Sequence, residues 1–95
     1  MAITILRRFK GKKEPKNWKV SKKGRDAISY EQKVDGEWKS IEIDGELLLG
    51  KINHVIYFKS EGEWTDYPKW AQNRSEIIRR IKMVFPPTRT EYENG

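Results

Sequence analysis

A chain of 95 residues that is 36% apolar and 36% charged makes one domain with a small core, since average domains run at roughly 45–50% apolar (counting Gly) and about 25% charged. The absence of cysteine removes disulfides, thiolate nucleophiles and thiolate zinc sites, and no apolar run nears the ~18–20 residues of a membrane span. The net charge of +6 is unevenly placed: residues 7–25 hold ten basic side chains against Glu14 alone, a segment charge of +9, and the other positions sum to −3.

Ile3, Ile5 and Phe9 alternate with Thr4, Leu6 and Arg8, which predicts a first strand over residues 3–9. Residues 10–25, broken by Gly11, Pro15 and Gly24, read as a basic loop, with Trp18 and Val20 able to tether a short extended piece to the fold. The start of the chain runs straight into charges and lacks the pattern of a signal peptide, so a soluble, cytoplasmic protein is expected.

The sharpest local signal is the Asp35-Gly36 pair, which supplies the positive φ angles of a two-residue hairpin turn. Setting Val34 opposite Glu37 places Ile28 against Ile43 and Tyr30 against Ile41 on one apolar face. Ser29, Glu31, Lys33, Trp38, Ser40 and Glu42 then share a wet face. A second pair, Asp44-Gly45, predicts another turn into residues 46–49, and residues 50–53 a further one into a strand over 54–59. Val55 and Tyr57 on one face, with His54, Ile56 and Phe58 on the other, place that strand inside the sheet.

Beyond residue 64 the apolar period changes from two to 3.6. Tyr67, Trp70, Arg74, Ile77, Ile78, Ile81, Val84 and Phe85 form one helical stripe, with Lys69, Arg79 and Lys82 off it. Asn73 to Glu76 matches a capping box, which permits a break near Gln72, and Pro86 and Pro87 stop the helix. The predicted fold is α+β: an antiparallel meander of four to five strands with one long C-terminal helix across its apolar face. Residues 1–87 form the domain and residues 88–95 a flexible tail.

Clustered cations attract phosphate and release its counterions. The expected function is therefore that of a small accessory protein binding nucleic acid, DNA or RNA undecided, mainly through phosphates. The candidate contacts are Arg7, Arg8, Lys10, Lys12, Lys13, Lys16, Lys19, Lys22, Lys23 and Arg25, with Trp18 as a stacking platform and Arg79 and Lys82 from the helix. Against this, residues 26–46 hold seven acidic and two basic side chains, a charge of −5 able to pair with the arm internally.

The alternative from another class is a protein-interaction module, a regulator or inhibitor subunit, in which Trp38, Glu31 and Glu42 form the contact patch and the arm meets an acidic protein. Arg74, on the apolar stripe, must be held by a carboxylate or a backbone carbonyl. His54 is the only histidine and cannot build a metal site alone, so no metal or cofactor is expected. With no Gly-rich phosphate cradle and no Ser/His/Asp set, neither is an enzyme.

Overall fold

The computed structural model describes residues 17–47 and 54–95. The expected first strand over 3–9 and the turn at 50–53 lie outside them. The order is β1 (Trp18–Lys23), β2 (Ala27–Val34), β3 (Glu37–Glu46), β4 (His54–Tyr57), two 3-10 turns (Glu63–Asp66 and Lys69–Ala71), α1 (Arg74–Val84) and β5 (Thr90–Glu93). The five strands form one sheet in the order β1-β2-β3-β4-β5. The architecture is α+β, antiparallel from β1 to β4, with one α-helix among the described residues.

The hairpin of β2 and β3 has the register that its turn dictates. Asp35 (φ 52°) and Gly36 (φ 84°) take the left-handed angles, Val34 faces Glu37, Ile28 faces Ile43 and Tyr30 faces Ile41. All four of those apolar side chains are buried, and Ile77, Ile78 and Ile81 of α1 close over them.

Four expectations are corrected. The basic segment 10–25 is not simply a loop: residues 18–23 form β1, paired along its whole length with β2 from Trp18↔Gln32 to Lys23↔Ala27. Asp44-Gly45 makes no turn. It lies in β3, with Gly45 opposite Ile56. Its glycine serves close approach, since a Cβ there would sit 2.8 Å from the Val55 carbonyl oxygen.

The helical stripe is interrupted, and α1 has only 11 residues. Upstream of it the chain wraps the buried Trp64, whose indole N–H donates to the Ala71 carbonyl at 2.6 Å. The Gln72 amide donates to the carbonyls of Trp64 (3.0 Å) and Tyr67 (2.9 Å). Those bonds fold residues 64–72 back on themselves, so α1 starts after Asn73, whose side chain makes no capping bond. Glu76, the other half of the expected capping box, turns instead to Arg79 and Arg80.

The fourth correction concerns the tail. Residues Thr90–Glu93 pair in parallel with β4, from His54↔Thr90 to Tyr57↔Glu93. A parallel pair requires a crossover, and here the 3-10 turns and α1 supply it. Asn94 and Tyr92 fasten this end: the Asn94 amide donates to the Phe58 carbonyl at 3.2 Å, and the Tyr92 hydroxyl donates to the Phe85 carbonyl.

Candidate interaction surface

Successive side chains of a strand point to opposite faces, and the sheet therefore has an inner face under α1 and an outer face. In β1 this alternation splits the cations. Trp18, Val20 and Lys22 align with the inner positions Gln32, Tyr30 and Ile28, whereas Lys19, Ser21 and Lys23 align with the outer positions Glu31, Ser29 and Ala27.

The outer cations meet the hairpin's carboxylates. Lys19 Nζ lies 4.0 Å from Glu31 Oε1, and Lys23 is paired with Glu42. Exposed pairs of this kind contribute about 0–1 kcal/mol each. Their consequence is directional, because they lay both lysines along the sheet. Trp38, 43% exposed, stands beside the first of them, with Lys19 Nζ 4.5 Å and Lys33 Nζ 6.0 Å from its ring centre. Trp38, Glu31 and Glu42 thus share one surface, together with two of the arm's lysines.

Further along the same face the charge changes. Asp44, Tyr57 and Glu93 stand in one cross-strand row, and Glu46, Val55 and Glu91 in the next. Tyr57 is 37% exposed; a hydrogen bond with Glu46, followed by burial and the Glu46 and Glu93 charges, raises its phenol above the ordinary value. Nearby, the Tyr67 hydroxyl donates to the Glu42 carbonyl at 2.9 Å. Desolvation, reinforced by Asp44, pushes that phenol up to about 12.

The remaining candidates are scattered. Arg7, Arg8, Lys10, Lys12, Lys13 and Lys16 lie outside the described residues, and Arg25 sits exposed in the turn between β1 and β2. Trp18 is half-buried against the core and carries the Arg80 guanidinium 5.5 Å from its ring centre. Arg79 is bonded twice to Glu76, at 3.0 and 2.6 Å. Lys82 donates to the Gly95 carbonyl at 2.9 Å and stands over Tyr92. Arg79 and Lys82 are thus engaged by groups of their own fold.

Arg74 is held as its place on the stripe requires, by the carbonyls of Lys59 (3.0 Å) and Asn94, with Trp64 beneath it at 5.5 Å. It lines an open hollow of about 340 Å³ with Glu61, Gln72, Asn73 and Ser75. His54 packs edge-on against Phe85, 5.9 Å between centres, and its Nδ1 and the Thr90 hydroxyl across the ladder are buried without hydrogen-bond partners among the described residues. Desolvation first, then the Lys22 and Arg89 charges, lower the imidazole below its usual range. Among the described residues, no group of three or more His, Asp or Glu side chains is placed to hold a metal, and no helix is long and apolar enough to cross a membrane.

Two residues of this surface and its support escape a reading of the sequence. Arg80 donates to the Tyr30 hydroxyl at 2.6 Å and to Glu76 at 3.2 Å, fastening α1 to β2; the Glu76 to Arg80 spacing of four is the local signal for half of that. Tyr57 becomes notable only through the neighbours that β3 and β5 give it. Compared with protein-family models, with curated proteins and with solved structures, the chain matches none.

Proposed function

We propose that this chain is a protein-interaction module, a regulator or inhibitor subunit, that docks through the outer face of its sheet with Trp38 as the anchor. The observation that carries this reading is the joint placement of Lys19, Glu31, Lys23, Glu42 and Trp38. Lys19, over the indole, is also turned toward Glu31, and Lys23 further along β1 is paired with Glu42, leaving a large half-exposed aromatic beside cations already engaged with their own hairpin. Trp is enriched among residues that dominate binding energy, and a surrounding polar rim excludes water from such an anchor.

The test is affinity isolation from the source cell with nuclease present, comparing the wild type with Trp38→Ala, followed by reconstitution of the retained protein. The expected result is a protein partner that survives nuclease and is lost with Trp38→Ala. Retention that vanishes on nuclease treatment, or that Trp38→Ala leaves intact, contradicts the proposal.

The second reading, an accessory protein that binds nucleic acid through phosphates, is favoured by the +9 charge of residues 7–25, of which six cations precede residue 17. Its signature is a log affinity that falls with log salt by about 0.9 per neutralised phosphate on duplex DNA and about 0.7 on single strands.

A further inference from the structure

Among the described residues the outer face holds two aromatic stations, and one of them lacks a cation. At the hairpin end Trp38 has Lys19 and Lys33 over its ring, and Lys19 also faces Glu31. Aromatic face, carboxylate and ammonium there form a closed set. At the other end Tyr57 lies between Asp44 and Glu93, with Glu46 and Glu91 flanking Val55 in the adjacent row. The aromatic and the carboxylates are present again, yet among the described residues no lysine or arginine forms an ion pair with Asp44, Glu46, Glu91 or Glu93. Four carboxylates on one part of a sheet, in a chain of net charge +6, are thus unpaired among the described residues, where the same face elsewhere pairs Glu31 and Glu42.

We infer that the Tyr57 end of the outer face receives a lysine- or arginine-bearing extended segment of a partner protein, whose cation lies over Tyr57 between Asp44 and Glu93 as Lys19 lies over Trp38. The inference rests on the outer face being a docking surface and adds the partner's chemistry to it. A cation over an aromatic ring is attracted by the ring's negative face. Carboxylates on both flanking strands fix its position and reject an acidic segment. Side chains on one face of an extended segment recur every second residue, about 6.6–6.8 Å apart. A basic residue at every second position therefore matches the row of Asp44 and Glu93 and the row of Glu46 and Glu91.

The experiment uses octalysine as the probe and the full-length protein, followed by backbone amide NMR shifts and by titration calorimetry. Perturbations centred on Asp44, Tyr57 and Glu93 are expected, with little change at Glu31 and Glu42. Tyr57→Leu should weaken binding about fivefold, and Asp44→Asn with Glu93→Gln should weaken it further, each variant retaining the wild-type circular dichroism. Octaglutamate should perturb none of these positions. Perturbations spread evenly over all acidic side chains, or equal affinity of Tyr57→Leu and wild type, would overturn the inference. So would a self-association that Tyr57→Leu abolishes, since the occupant would then be a second copy. If octalysine fails while Trp38-dependent capture of a partner persists, only the partner's charge is wrong. If octalysine binds here while capture is independent of Trp38, the docking anchor is wrong and the Tyr57 station stands.

Discussion

The Arg80 guanidinium stands over the Trp18 indole, 5.5 Å from its centre, and in that position donates to the Tyr30 hydroxyl at 2.6 Å. One residue of α1 thereby clamps β1 against β2. Tyr30 in turn donates to Gln32 at 2.7 Å and stacks near Trp70, 6.4 Å between centres. The strand that carries Lys19 and Lys23 is held in place by this cluster, so the outer surface depends on a contact made on the inner one.

Arg80→Ala should therefore destabilise the fold by about 1–3 kcal/mol, the usual effect of removing a charged hydrogen-bond partner from a mostly buried group. Arg80→Lys should restore little of it, because an ammonium lacks the planar fork that reaches Tyr30 and Glu76 together. Urea unfolding of the three proteins checks this, and equal midpoints for Arg80→Lys and wild type would show that charge alone suffices.

The hairpin register can be tested in the same way. Ile41 is buried against α1 and Ser40 beside it is exposed. Ile41→Ala is expected to cost on the order of 2–5 kcal/mol, while Ser40→Ala stays within about 0.5 kcal/mol. Similar losses at both positions would contradict the register.

The hairpin was legible because everything that fixes it is local. Asp35-Gly36 sets the turn, and period-two alternation does the rest. Asp44-Gly45 carries the same two letters and means something else, since the approach of Val55 to Gly45 comes from a strand that the letters do not announce. The end of the chain reads as a tail because Thr90 to Glu93 offers only Tyr92 as an apolar side chain. Its strand exists through parallel pairing across the α1 crossover, which no local pattern encodes. The cations of the site could be counted in advance, and the position of Arg74 on the stripe calls for a carboxylate or a backbone carbonyl, of which the fold supplies carbonyls. The direction of Lys19 and Lys23 could not be read in advance, because it follows from β1 joining β2.

Acid should weaken the protein in two separable steps. His54 is kept below its ordinary value of 6.5 by burial and then by Lys22 and Arg89, so the unfolded chain takes up the proton first. The stability due to neutral His54 is whole above about pH 6.5 and is lost as pH falls through the lowered folded value. Glu76, held down to about 2 chiefly by its hydrogen bond from Arg79, contributes above its ordinary 4.5 and loses that contribution as pH falls toward about 2. The fall in urea midpoint should be shallower below about pH 6.5 in His54→Asn and below about pH 4.5 in Glu76→Gln. Unchanged pH profiles in both variants would refute these assignments.

The central claim is that the β1 lysines serve the hairpin, which leaves the outer face to a protein. Mobility shifts of mixed DNA and RNA over a salt series, comparing the wild type with Lys19→Gln/Lys23→Gln, test it most directly. The account predicts the same salt slope for both proteins, because neither lysine neutralises a phosphate. A slope shallower by about 0.9 on duplex DNA, or about 0.7 on single strands, for each lysine removed would contradict it and give the arm to nucleic acid.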